Sequence, residues 1–344
     1  MGFPVGRLYN GCMDGTGIAD SPNPIPAARA LVVVTGAGGF IGTHLLRALR
    51  EAGFRTRAVT RMRAGGAGLP DAAETVPHPG VSPQADWRPI LAGAQAVVHL
   101  AGLAHLPVDD RAMRQALRRI NVLSTHRLAG AAADAGIATF VFMSSIKAVA
   151  DHSGDQPLTE ASATRPEDCY GLAKRAAERR LERLARRTAT MRVLILRPPL
   201  VYGPGVGANF AALLRLVGRG LPLPLGAIEN RRSLVYVGNL TAAVVRCLER
   251  AEVPSGIFHV SDRDAVSTPE LVAAMARAQG RSARLLPVPP SWLGYAAAVT
   301  GRQAQFQRLA QSLEVSSRRF CETFEWQPPF SLEQGLRATL KGSG

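Results

Sequence analysis

Residues 30–61 read ALVVVTGAGGFIGTHLLRALREAGFRTRAVTR, and the order of residue types in this stretch decides the fold. Leu31 to Val34 form an unbroken apolar run, as a strand covered on both faces requires. Leu45, Leu46 and Leu49 then recur at helical spacing. Between run and helix stand Gly36, Gly39 and Gly42, three residues apart. A glycine at the first position permits a tight turn, one at the second lets the backbone approach a diphosphate, and one at the third lets helix and strand pack closely. The free N–H groups at the helix start then favour a bound anion. Strand, glycine turn and helix in this order predict a dinucleotide-binding unit.

The pattern continues outward. AQAVVHLAG (94–102), ATFVFMSS (138–145) and MRVLILRPPLVYGPG (191–205) are further buried strands, the first two ending in small or polar residues. Helical stretches over 111–135 and 171–187 lie between them. Such alternation predicts an α/β fold, a doubly wound parallel sheet of the Rossmann type. After Pro198 proline and glycine become frequent. The alternation returns in SLVYVGNLTAAVVRCLERA (233–251) and GIFHVSD (256–262), which we read as elements of the first sheet. The expected division is a nucleotide-binding domain from 30–198 and 233–262, with a smaller, interrupted substrate domain from 199–232 and 263–344. Residues 1–29, rich in Gly, Pro and Asn, read as a disordered N-terminal extension, or as sequence upstream of a chain that starts at Met13.

Bulk composition excludes several classes. The 344 residues are 47% hydrophobic and 19% charged, which is globular rather than disordered. The net charge of +15 would fit a polyanion partner, but only Lys147, Lys174 and Lys341 are lysines. An arginine excess of this kind follows from a GC-rich coding sequence. No zinc-finger, RNP or helix-turn-helix pattern accompanies it, so no specific nucleic-acid partner is expected. Cys12, Cys169, Cys247 and Cys321 are scattered, which predicts neither a metal site nor disulfides and fits a reducing cytoplasm. No apolar run reaches bilayer length. WLGYAAAV (292–299) comes nearest and reads as part of a buried or partner-facing helix, so no transmembrane segment is expected, and peripheral membrane contact through residues 291–300 is only a distant alternative.

Tyr170 and Lys174 are four residues apart, on one face at the start of a helix. An ammonium beside a phenol lowers the phenol's pKa, and a phenol titrating near neutrality can exchange a proton with a carbinol oxygen. Ser145, at a strand end, could hydrogen-bond the same oxygen.

TGAGGFIG together with Ser145 and Tyr170-x-x-x-Lys174, in that order, resembles the extended branch of the short-chain dehydrogenase/reductase superfamily, whose members modify nucleotide sugars. The resemblance spans roughly residues 30–262. It implies Ser145, Tyr170 and Lys174 as the catalytic set. It also implies a cofactor cleft formed by Gly36, Gly39, Phe40, Ile41, Gly42, Leu100, Ala101, Gly102, Asn121 and Pro198, together with Tyr170 and Lys174, with Asn121 a structural residue at a helix start. After the second strand, where an acid would select NAD, the chain has Thr60, Arg61 and Arg63. Arginine suits a 2′-phosphate, so NADP is favoured over NAD and Arg61 joins the cofactor residues. The Asp that contacts adenine in the family is not matched: Gly80–Val81 stand near its position, and Asp86 is a poor substitute.

The same resemblance implies substrate contacts at Ser145, at Asn209, at Leu225 and Gly226 beneath the uracil ring, and at Arg232, the last holding a diphosphate as arginine does well. Ile146 and Lys147 follow Ser145 where dehydratases carry an Asp–Glu pair, which disfavours dehydration. SSIK, RPPLVYGPG, LPLPLGAIENRRSLVYVGNL and STPEL are most similar to bacterial proteins of O-antigen and exopolysaccharide gene sets. Their type is the UDP-N-acetylquinovosamine 4-dehydrogenase group, which implies reduction of a UDP-4-keto-6-deoxy-N-acetylhexosamine at C4 in surface polysaccharide (lipopolysaccharide) biosynthesis. SSIKAVAD departs from the SSIKVNGE expected there, which leaves the sugar open. A UDP-glucose or UDP-HexNAc 4-epimerase is the alternative, and a catalytically silent nucleotide-sensing or RNA-associated protein a more distant one. The family also implies a homodimer formed through the helices near 111–135 and 170–187.

Overall fold

The structure, a computed structural model, describes residues 30–61, 68–78, 85–104 and 110–342. The expectation of disorder for 1–29 and the Gly80–Val81 position lie outside the described residues.

Seven strands form one parallel sheet: β1 (Leu31–Thr35), β2 (Arg55–Arg61), β3 (Glu74–His78), β4 (Ala96–His99), β5 (Thr139–Met143), β6 (Arg192–Arg197) and β9 (Gly256–His259). Their spatial order is β3-β2-β1-β4-β5-β6-β9. The order reverses beside β1, so the crevice between the ends of β1 and β4 is where ligands bind in open sheets of this kind. Helices α1 (Phe40–Glu51), α2 (Arg88–Leu91), α3 (Arg111–Leu117), α4 (Thr125–Asp134), α5 (Cys169–Ala185) and α7 (Val237–Glu249) cover the two faces. Alternate residues of β1 serve both: Val32 and Val34 pack with Leu45, Leu46, Leu49, Val244 and Leu248, whereas Val33 packs with Trp87, Leu128 and Leu181. This is why an unbroken apolar run was required.

The smaller lobe holds a two-stranded parallel sheet, β7 (Leu200–Tyr202) with β8 (Leu234–Tyr236), and helices α6 (Ala208–Gly218), α8 (Thr268–Ala278) and α12 (Leu332–Lys341). Tyr202, Phe210, Leu214, Met275 and Leu336 form its core. Two further helices, α9 (Pro290–Val299) and α10 (Gln303–Ala310), pack on each other, and α11 (Arg318–Phe324) follows.

Three expectations are corrected here. The strand in SLVYVG is β8 and pairs with β7, not with the first sheet; only the helix after it, α7, returns to the large core. α11 also belongs to that core, because Phe320 and Phe324 stack on each other and meet Phe258 of β9 edge-on, with Trp326 against Phe320. Of the two readings of α9, buried or partner-facing, the first is overturned, because the helix has no buried residue.

Candidate active site

The site is built from strand ends. Gly36 follows β1 with φ of +71°, and a Cβ there would lie 2.7 Å from the Ala101 nitrogen. The β1 turn therefore touches the loop Leu100–Gly102 that follows β4. A Cβ on Gly42 would sit 2.3 Å from the Gly36 carbonyl oxygen, so the first turn of α1 rests directly on the glycine loop. By contrast a Cβ on Gly38 would meet nothing within 4 Å, and one on Gly39 only the Gly36 oxygen at 3.2 Å. Open space thus faces the start of α1, where Gly39 caps the helix without a side chain and no acid occupies the first turn. Phe40 and Ile41 begin that turn. Backbone donors beside such a cradle fit a dinucleotide diphosphate. Arg61 ends β2, its backbone opposite His78 of β3; Arg63 lies outside the described residues. Asp86 is engaged by Arg88 at the surface.

A buried polar chain runs behind this cradle. Thr35 Oγ1 and His99 Nδ1 are 2.6 Å apart, and His99 Nε2 lies 2.9 Å from Thr125 Oγ1. Thr125 donates to the carbonyl of Asn121 at 2.9 Å. The Asn121 side chain accepts from Leu103 N at 2.8 Å and donates to Leu103 O at 2.9 Å. Asn121 is not at a helix start, as expected, but in a π-helical stretch (Arg118–Ser124) between α3 and α4. The wider turn suits a side chain that must reach a neighbouring loop. Burial, with the positive charge of Lys174, holds His99 down to about 3, so the imidazole is neutral.

Ser145 follows β5 in extended conformation, and its hydroxyl accepts from Lys147 N. Ile146 N donates to the carbonyl of Pro198 after β6 at 2.9 Å, which fixes this corner. α5 then delivers Tyr170 and Lys174. Its first turn is pressed against the corner, since a Cβ on Gly171 would lie 2.3 Å from the Lys147 oxygen. Asp168 caps α5 by accepting from Gly171 N, and its other oxygen takes the Lys147 ammonium, which also reaches Asp151 at 2.8 Å. Burial pulls the Lys147 ammonium down, but its bonds to Asp151 and Asp168 outweigh that and hold it above the ordinary lysine value.

The structure brings Ser145 close enough to the Tyr170 phenol to act on its titration, and places Lys174 Nζ 5.8 Å from the Tyr170 ring centre. The expected lowering of the phenol's pKa is not found. Burial and then the Asp168 charge push Tyr170 up to about 12, against the opposing effect of Ser145. The Lys174 ammonium is turned to the carbonyl of Met143 at 2.7 Å, and burial lowers it to about 8 although Glu178 opposes the shift. The phenol is therefore protonated at neutral pH.

Glu178, one turn beyond Lys174, was not foreseen. It is wholly buried and accepts from Ser144 Oγ (2.6 Å), Arg197 Nε (2.8 Å) and Arg197 Nη2 (2.7 Å), with Arg175 at 3.2 Å. This clamp ties α5 to the ends of β5 and β6, next to Ser145 and Pro198. The signal was present: Thr35, His99, Ser144 and Arg197 each close an apolar strand with a polar residue at the carboxyl end of the sheet.

The remaining expected residues lie in the smaller lobe. Asn209 is exposed in the first turn of α6, and half-buried Leu225 packs against that lobe's core. Arg232 bridges to Val266 through its backbone, and its Nη1 donates to the Gln311 carbonyl at 2.9 Å. Burial lowers its pKa. Among the described residues, no group of three or more His, Cys, Asp or Glu could hold a metal ion.

Comparison with known proteins returns a family model described as the NAD dependent epimerase/dehydratase family, matching residues 32–261. A Vibrio cholerae protein named UDP-glucose 4-epimerase is 35% identical over 313 residues, covering 90% of this chain and 94% of its own length. A Caulobacter vibrioides protein named ceramide reductase is 29% identical, covering 88% and 87%. The solved structure of MoeE5 in complex with UDP-glucose and NAD superposes with a TM-score of 0.72 at 26% identity, covering 91% of this chain and 98% of that one.

Proposed function

The chain belongs to the NAD dependent epimerase/dehydratase family, and from that membership we propose that it carries out hydride transfer at C4 of a UDP-linked sugar. The observation that carries the reading is the cluster of Ser145, Tyr170 and Lys174 at the carboxyl end of the sheet, beside the open glycine cradle. When bound, the nicotinamide supplies or takes up the hydride. Ser145 holds the C4 oxygen by a hydrogen bond, and Tyr170 exchanges the proton with that oxygen. Lys174 and Asn121 position the ring and its loops, and Arg232, Asn209 and Leu225 receive the nucleotide diphosphate. Thr60 and the arginines at 61 and 63, in place of an acid after β2, favour NADP over NAD.

The favoured direction is reduction of a UDP-4-keto-6-deoxy-N-acetylhexosamine, a step of surface polysaccharide assembly. Carbonyl reduction adds hydride to C4 and a proton to its oxygen, and Tyr170, protonated at neutral pH, is the group placed to give that proton. The motifs around SSIK and LPLPLGAIENRRSLVYV support the same substrate class. The name borne by the Vibrio relative supports a second reading, 4-epimerisation, in which oxidation at C4 comes first and requires the phenolate. Incubation with UDP-4-keto-6-deoxy-GlcNAc and NADPH tests the reading. Oxidation of one cofactor per sugar is expected, and absence of oxidation with either NADPH or NADH defeats it.

A further inference from the structure

The smaller lobe presents an apolar surface that the reaction does not use. Trp292, Tyr295 and Val299 are 70%, 75% and 71% exposed. Their spacing of three and four residues puts them on one face of α9. The opposite side meets α10, where Gly294 lies against Phe306. Leu286 and Leu221 extend the exposed apolar surface, since Leu223 N donates to the Arg284 carbonyl and Leu286 N to the Leu223 carbonyl.

The charge around this surface has one sign. From residue 271 to residue 313, the stretch that contains α9, the sequence holds five arginines and no aspartate or glutamate, and the paired segment 221–228 also holds no acid. Arg281, Arg284 and Arg302 are exposed, and none is in an ion pair among the described residues. A short helix bearing exposed Trp and Tyr, rimmed by uncompensated arginine, has the chemistry of the boundary between headgroups and acyl chains. With 10 residues, α9 is about 15 Å long, half the ~30 Å needed to cross a bilayer, so it would lie in the plane of the surface.

We infer that α9 and its arginine rim form a docking surface for a bilayer carrying anionic headgroups. The docked enzyme holds its smaller lobe against the membrane. Gly226, beside the expected substrate residue Leu225, donates to the Leu286 carbonyl at 2.9 Å, so the substrate loop is coupled directly to the docked segment. The inference stands apart from the sugar and the direction of reaction proposed above.

The protein contains three tryptophans, and Trp87 and Trp326 are buried, so a change in emission on adding vesicles reports Trp292. The full chain is mixed with phosphatidylcholine vesicles, or with vesicles containing roughly 30% phosphatidylglycerol, and floated through a density gradient. Flotation with the anionic vesicles and a blue shift of emission are expected. Trp292→Ser/Tyr295→Ser should abolish the shift and lower the bound fraction about tenfold or more, with the far-UV spectrum and turnover of soluble substrate unchanged. Arg281→Glu/Arg284→Glu, which leaves the apolar face intact, should weaken binding about tenfold and remove its sensitivity to salt. Absence of flotation with either vesicle, or equal binding by both variants and wild type, overturns the inference. So does a lipid-independent dimer lost in Trp292→Ser/Tyr295→Ser, because a second copy would then cover this face.

Discussion

Glu178→Gln is the substitution that most sharply separates a structural clamp from a surface ion pair. The carboxylate is wholly buried and accepts from Ser144 and from two nitrogens of Arg197, itself 1% exposed. Glutamine keeps the shape but removes the charge, and its amide nitrogen must face guanidinium donors. Removing one partner of a buried pair costs about 3–5 kcal/mol, because the other charge remains in a dry site. One acceptor oxygen survives in glutamine, so a loss near ~3 kcal/mol is expected, read from guanidinium unfolding followed by circular dichroism. The companion Glu178→Leu/Arg197→Met removes both charges and should recover stability to within about 1–2 kcal/mol of wild type. A loss below about 1 kcal/mol in Glu178→Gln, the value of an exposed pair, would refute the reasoning. The clamp also has an electrostatic consequence: without the Glu178 charge, the Lys174 ammonium falls further below about 8.

Lys174 gives a pH signature of its own. Its folded pKa, about 8, lies below the ordinary 10.5, so above pH 8 the unfolded chain binds more protons and the contribution to stability rises with pH. The difference in unfolding free energy between wild type and Lys174→Met should climb from pH 8 towards pH 10, and a flat difference would contradict the burial argument. Tyr170→Phe should lower turnover on the order of 10²–10⁴-fold with the melting temperature little changed, since only the proton donor is lost. Gly42→Ala brings a methyl to 2.3 Å from the Gly36 oxygen and should cost about 1–3 kcal/mol together with dinucleotide affinity, measured by fluorescence titration. Gly38→Ala meets no atom within 4 Å and should be as stable as wild type.

Much of the nucleotide-binding half was legible because its signals are local. An apolar run, three spaced glycines and a leucine stripe determine β1, the turn and α1 without reference to the rest of the chain. Ser145, Tyr170 and Lys174 could be singled out because each stands at a strand end or on a helix start recognisable from its neighbours. What depends on distant partners was not legible. Three-residue β8 looks like any short apolar run, and pairing with β7 rather than β6 is settled by packing in the smaller lobe. Phe320 and Phe324 are two aromatics until β9 supplies Phe258, which meets both rings edge-on. α9 has the composition of a buried helix, and only its exposure among the described residues shows otherwise. The Tyr170 phenol was misjudged for the same reason: spacing puts Lys174 nearby, but Met143 takes its ammonium while burial and Asp168 act on the phenol.

The central claim is net reduction at C4, hydride delivered to the 4-keto carbon with Tyr170 as the acid. It is tested most directly by following cofactor absorbance and product stereochemistry when the purified chain meets UDP-4-keto-6-deoxy-GlcNAc with NADPH or NADH. The account predicts one cofactor oxidised per 4-hydroxy sugar formed, and loss of that reaction in Tyr170→Phe. Unchanged absorbance with the 4-keto sugar, alongside interconversion of UDP-GlcNAc and UDP-GalNAc by cofactor retained through purification, would contradict it.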